Sequence, residues 1–310
     1  MPATQPRITV IGSINMDLVI RCGTLPQPGE TILAESSAEV CGGKGANQAV
    51  AAARAGGNVT MIGRVGDDAF AGRLVSNLKH EQIGCDAVGV STNCPSGLAI
   101  VAVEQSGQNS IMVVAGANGQ VSVEDVQAAR NVIEASDVVL LQLEIPTAAV
   151  LAAIKIAQTA NVRIIFDPAP ALLHWPSELF NVDVLCPNES EAAALLGTPV
   201  VSISDAESAA RRIRELGAKH VAITLGARGT MVFDGESTQL VEPCVITTVD
   251  TTAAGDAFAG ALAVRWAEGT RFVDAVHFAN AAGALAASRE GAQPGMAARN
   301  EIETLLKGQS

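Results

Sequence analysis

Tyrosine is absent, and aromatic residues make up only 3% of the sequence. That excludes a platform on which successive nucleobases stack. Positive charge is scarce as well. Twenty Lys and Arg against 32 Asp and Glu leave a net charge of −12, which argues against a nucleic-acid surface. Any anion bound here must be held by local features. No run of about 18 uncharged apolar residues occurs, so no membrane-spanning helix is expected. The start, MPATQPRITVIGSINMD, has no basic segment leading into a secretory-type apolar run, and a cytoplasmic location is the expectation. The six cysteines form no C-x-x-C pair, which speaks against a zinc knuckle or a disulfide scaffold. His80, His174, His220 and His277 share no metal-binding spacing.

What is present is a large apolar fraction, 48% of 310 residues, enough for one large domain or two small ones. Apolar, β-branched runs recur as ITVIG, VTMIGRVG, VVLLQLE, VRIIFDP, VDVLCP and HVAITLG. Between several of them lie stretches with helical spacing at 45–55, 146–160 and 205–216. Continuous apolar strands alternating with helices predict an α/β fold with a parallel sheet covered on both faces. Two regions break the rhythm, about 15–41 and 94–116. They read as short alternating strands without a helix, a small sheet placed to cover a site.

The segment VDTTAAGDAFAGALA, residues 249–263, sets an acid at the mouth of an apolar helix. Asp256 reads in two ways. It is a helix cap, since Asp favours that position. Alternatively, Ala253, Ala254 and Gly255 clear a hole at a helix N-terminus for an anion, with the carboxylate beside it. GGKGANQAVAAARAG, from Gly42, also opens a helix. It fails the P-loop pattern because Gly45 follows Lys44, and it fails the dinucleotide fingerprint because Gln48 stands where a third glycine belongs. Polar Asn47 and Gln48 in its first turns suit a small polar ligand. In GSINMD, Asn15 and Asp17 leave the end of the first strand, where ligands sit in open α/β sheets. That pair suits a polyol, though an Asx turn uses the same residue types. Glu144, Asp167, Asn188, Glu191 and Thr224 follow later strands, and so many polar groups at successive strand ends favour a shared site.

GGKGANQAVAAARAG and DTTAAGDAFAGALA resemble the two signatures of the ribokinase-like sugar kinases, the PfkB carbohydrate kinase family. GSINMD, LQLEIP, DPAP, PNESEA, TLGARG and REGAQPG extend the resemblance over essentially the whole chain. It implies a three-layer αβα sandwich with a mostly parallel central sheet, a single domain over residues 1–310 carrying a small β lid. It implies transfer of the γ-phosphate of ATP to the 5-hydroxyl of D-ribose. Asp256 is then the base, and Ala253, Ala254 and Gly255 form the anion hole. Asn15, Asp17, Gly43, Lys44, Asn47 and Glu144 hold the sugar. Asn188 and Glu191 organise Mg²⁺ and phosphates, with Thr224, Gly226, Gly229, Gly255 and Asn280 in the nucleotide pocket. Asn280 stands where many relatives carry His. A K⁺ site is implied at Asp250, Thr252, Ala286, Arg289, Gly291 and Gly295, with Gly295 in place of a Ser found in many relatives. The lid implies a homodimer. Other readings are a kinase of another pentose such as deoxyribose, a kinase of a nucleoside, or a sugar sensor without chemistry. The lid segments carry Met16, Leu18, Ile100 and Ile111 but no aromatic residue to pack on a base, and Asp256 with its anion hole is intact, which speaks against the sensor.

Overall fold

The computed structural model describes residues 5–104 and 109–308. Among the described residues the strands are β1 (Arg7–Ile11), β2 (Asn15–Cys22), β3 (Ser36–Gly42), β4 (Asn58–Val65), β5 (Gly84–Val90), β6 (Gly97–Glu104), β7 (Asn109–Val114), β8 (Val138–Leu141), β9 (Arg163–Phe166), β10 (Val184–Leu185), β11 (His220–Thr224), β12 (Thr230–Phe233) and β13 (Thr238–Val241). The helices are α1 (Lys44–Arg54), α2 (Ala71–His80), α3 (Val123–Ala128), α4 (Arg130–Glu134), α5 (Thr147–Thr159), α6 (Glu189–Leu196), α7 (Ile203–Leu216), α8 (Ala254–Ala267), α9 (Phe272–Ala287), α10 (Ala292–Gly295) and α11 (Arg299–Gly308).

Nine strands form one sheet in the order β13-β12-β11-β10-β9-β8-β1-β4-β5. From β11 to β5 every pairing is parallel; β12 and β13 are added antiparallel. Alternation along the strands divides the core. In β8, Val138 and Leu140 pack with α1, α8 and α9 on one face, and Val139 and Leu141 pack with α5 and α7 on the other. All four are fully buried, which is why this strand reads as an unbroken apolar run.

The sheet order reverses at β1. From there the chain builds outward through β4 and β5, then returns to β8 on β1's other side. Such a switch point opens a crevice at the carboxyl ends of the strands. The smaller sheet, β3-β2-β6-β7, rises from that end because β2 begins four residues after β1 stops. Both segments expected to be β without helix form this sheet; residues 105–108, between β6 and β7, lie outside the described residues. No helix among the described residues is long and apolar enough to cross a membrane.

Candidate active site

The site begins where α1 meets the β1–β2 corner. Gly43 precedes α1 with φ 90°, a backbone region that disfavours side chains, and a Cβ there would lie 2.7 Å from the Asn15 nitrogen. A Cβ on Gly42 would lie 2.0 Å from Asp17 Oδ2. This close packing brings Asn15, Asp17, Lys44 and Asn47 together. Glu144, after β8, closes the group by accepting from the Ser13 hydroxyl and the Lys44 N–H. Asn15 Oδ1 accepts from Asn118 Nδ2 at 2.6 Å. Asp17 Oδ1 is buried without a hydrogen-bond partner. Burial, with Glu144 and Asp256 nearby, pushes the Asp17 carboxyl up to about 7. A buried acceptor lacking a donor costs on the order of 1–3 kcal/mol, so this atom is suited to a ligand hydroxyl.

Asp256 is not a helix cap. The N-cap of α8 is Ala253, in the left-handed conformation at φ 59°, and Asp256 is the third residue of the helix. The turn that starts the helix, Ala254 N–H to Thr251 O at 3.2 Å, comes before the acid. The carboxylate points across to α1, where Asn47 Nδ2 donates to Oδ2 at 3.0 Å and Gln48 Nε2 to Oδ1 at 3.2 Å. Gln48 Nε2 also donates to Asp167 Oδ2 at 2.9 Å. Burial raises the Asp256 carboxyl despite Lys44 and the two amides, which favour its charged form. Burial opposes the charge on Lys44, but Asp167, Asp256, Glu191 and Glu144 together hold its ammonium firmly protonated.

On the other side of the α8 N-terminus lies a cavity of about 530 Å³. Asn188, Thr224, Gly226, Gly229, Ala254, Gly255 and Asn280 line it, with Pro243, Val245 and Ile246 supplying an apolar wall. Nothing lies within 4 Å of where a Gly255 Cβ would project, so the helix entrance is open. The first-turn N–H groups of a helix have no intrahelical partner, and this end carries partial positive charge. Asp256 thus stands at the wall between a polar, acid-rich pocket and this cavity.

Several expected residues have further duties. Asn188 and Glu191 form a reciprocal capping box on α6, each side chain accepting from the other's N–H at 2.9 and 2.8 Å. Asn280 lines the cavity, yet its side chain is taken up by the protein: Oδ1 accepts from Thr230 Oγ1 at 2.6 Å and Nδ2 donates to the Glu242 carbonyl at 3.2 Å. Asp250 bridges two loops, accepting from Thr252 N–H and Gly291 N–H, both at 2.9 Å. Burial would raise this carboxyl, but those N–H bonds and Arg21 hold it below the usual range. Beside it, a Cβ on Gly295 would lie 3.2 Å from the Ala286 carbonyl oxygen and 3.7 Å from that of Arg289. His220 packs against Trp266 and Phe272, and no cluster of three or more His, Cys, Asp or Glu among the described residues is arranged to hold a metal.

Ser13, Asn118, Gln142 and Gln293 are site-building residues that local reading passes over. Their common signal is a polar side chain in an apolar or glycine-rich setting, as in VVLLQLE and EGAQPG. All four are buried.

The model for the pfkB family of carbohydrate kinases matches residues 5–299. The chain is 40% identical to the ribokinase of Bacillus subtilis strain 168 over 299 residues, covering 96% of this chain and 99% of that protein. It is 38% identical to the ribokinase of Schizosaccharomyces pombe, with 96% of each covered. In three dimensions it matches the ribokinase of Giardia lamblia with a TM-score of 0.91 and 28% identity over 99% of this chain and 100% of that one. The structure of Arabidopsis thaliana ribokinase complexed with ribose and ATP matches with a TM-score of 0.87 and 34% identity, over 98% and 99%. With both signatures at one crevice and the family match running nearly end to end, this chain belongs to the pfkB family of carbohydrate kinases.

Proposed function

We propose that the chain is an ATP-dependent kinase of D-ribose, giving ribose 5-phosphate and ADP. The carrying observation is the position of Asp256, buried between a polar pocket with an unpaired carboxylate oxygen and a cavity of nucleotide size at a bare helix N-terminus. Asn15, Asp17, Gly43, Lys44, Asn47 and Glu144 hold the sugar hydroxyls. Asp256 takes the proton of the attacking hydroxyl. Burial raises its pKa, which makes the carboxylate a stronger base. The N–H groups at Ala253 and Gly255, that of Ala254 once it leaves the Thr251 carbonyl, and the Lys44 ammonium then face the charge that spreads over the transferred phosphoryl oxygens. Thr224, Gly226, Gly229 and Asn280 frame the nucleotide, with recognition of the base falling to the apolar wall.

Mg²⁺ fits as an ion that arrives with the ATP phosphates and neutralises them, with Asn188 lining the cavity and Glu191 behind it in the same helix cap. A monovalent cation fits the oxygen set of Asp250, Thr252, Ala286, Arg289, Gly291 and Gly295, where carbonyls rather than carboxylates predominate. Its place is behind the anion hole, where it would fix the loop that presents the N–H groups. The β3-β2-β6-β7 sheet closes over the sugar. Its edge strand β7 exposes Ile111, Met112, Val113 and Val114, an apolar edge that a second copy would cover in a homodimer.

A coupled ADP-release assay over pentoses, hexoses and nucleosides, with and without K⁺, tests the whole reading. D-Ribose is expected to give the highest kcat/KM, with K⁺ raising the rate. A nucleoside or another sugar ahead of ribose overturns the substrate, and a rate flat in K⁺ removes the cation.

A further inference from the structure

The hydrogen bonds that orient Asp256 form one continuous series. An ionised carboxylate can only accept, so both amides facing Asp256 must turn their NH₂ groups toward it. That leaves the carbonyl oxygens of Asn47 and Gln48 pointing away, each in need of a donor. Gln293 Nε2 supplies the first, reaching Asn47 Oδ1 at 3.1 Å, and Gln142 Nε2 supplies the second, reaching Gln48 Oε1 at 2.6 Å. Gln293 Oε1 in turn accepts from Asn77 Nδ2 at 2.7 Å. Each amide therefore fixes the orientation of the next. Asn47, Gln48, Gln142 and Gln293 are all buried, so water does not readily replace a missing partner.

The backbone at Gln293 is held as firmly as its side chain. Arg54, at the end of α1, donates through Nη1 to the carbonyls of Gln293 at 2.7 Å and Met296 at 2.8 Å. Its other nitrogens grip Glu81 at 2.9 and 2.6 Å. One helix thus carries Asn47 and Gln48 at its start and the clamp on the Gln293 segment at its end.

We infer that Gln293, held by Asn77, is a positioning residue for Asp256 that acts through Asn47. This rests on the reading of Asp256 as the base. Without Gln293 the Asn47 amide is free to rotate and to turn its oxygen toward the carboxylate. The base then loses a donor and its aim at the substrate hydroxyl, and the Asn47 contact to the sugar loosens with it, while the other sugar contacts and the nucleotide pocket are kept.

The test is a double-mutant cycle of Gln293→Met with Asp256→Asn, read as kcat and as KM for ribose and ATP. Gln293→Met alone is expected to lower kcat about 10- to 100-fold, the scale of a misplaced reacting group, with KM for ATP changed less than about threefold and KM for ribose raised by less than kcat falls. In the Asp256→Asn background the same substitution is expected to change the residual rate less than about twofold, because the group it positions is gone. An equal loss in both backgrounds, or a loss confined to KM, overturns the inference and makes Gln293 a structural residue. If Asp256→Asn itself keeps more than about a tenth of kcat, the base reading falls and this inference with it. Should Gln293→Met not fold, Asn77→Leu, on the partly exposed α2, enters the same cycle with a smaller loss expected in the Asp256 background alone.

Discussion

The two halves of the site are built differently. The side proposed for the sugar is assembled mainly from side chains, buried acids and amides joined by hydrogen bonds between elements distant in sequence. The cavity proposed for the nucleotide is lined largely by backbone and small apolar residues, with glycines at 226, 229 and 255 and an apolar wall at 243–246. Even the polar group there that promised a base contact, Asn280, is occupied by Thr230 and Glu242. The contrast follows from what each ligand offers. A small polyol presents only hydroxyls, so selectivity demands directed side-chain partners. A nucleotide presents phosphates and a flat base, which helix N–H groups and apolar surface receive with little side-chain chemistry.

Breaking the polar half should cost most. Asp256→Asn is expected to keep the fold and ribose binding while kcat drops about 10²–10⁴-fold, the usual worth of a general base. Steady-state kinetics with isothermal titration of ribose separates the two effects. Retention of ribose affinity with lost turnover is the expected result.

Asp17→Ala comes next. Losing a charged hydrogen-bond partner is worth about 1.5–3 kcal/mol, so ribose affinity should fall about 10- to 150-fold with ATP affinity nearly unchanged. Equal losses for both ligands would erase the distinction between the halves.

The same residue predicts a pH-dependent gain in stability without ligand. Asp17 titrates near 7 in the folded protein and near 3.8 unfolded. The folded state therefore binds more protons between those values, and Asp17 loses stability for the protein as pH rises through that window, with no further change above about 7. Asp17→Asn should raise the thermal midpoint of the ligand-free protein at pH 8 by an amount worth up to about 4 kcal/mol, and by much less at pH 4. Calorimetry at the two pH values checks the sign. A gain larger at pH 4 would contradict it.

The smallest effect belongs to the apolar half. Asn280→Ala removes an amide already paired within the protein, so KM for ATP should change less than about threefold while stability falls by about 1 kcal/mol. A large loss of ATP affinity would show that the side chain leaves Thr230 to meet the base.

Local pattern carried much of this molecule. Continuous apolar runs marked β1, β4, β8, β9, β10 and β11, because a strand buried on both faces needs no polar alternation. The helix-free segments marked the small sheet, and glycine-rich helix starts marked α1 and α8. The roles of Asp17, Lys44 and Asp256 came from resemblance, since a single acid beside small residues is equally consistent with a cap. Only the tertiary structure decided between those readings, by starting α8 at Ala254 and turning Asp256 toward α1. It alone revealed Gln48, Gln142 and Gln293 as partners. Asn47 and Asp256 lie 209 residues apart, and Gln293 lies 246 residues from Asn47. A hydrogen bond depends on distance and direction in space, and sequence periodicity reports only which face of an element is apolar. The sequence by itself determined the layers and the ends of the strands where chemistry gathers. Which polar groups meet there, and which of them is left without a partner for a ligand to satisfy, was decided by the packing of α1 against α8 and the segment at 291–296.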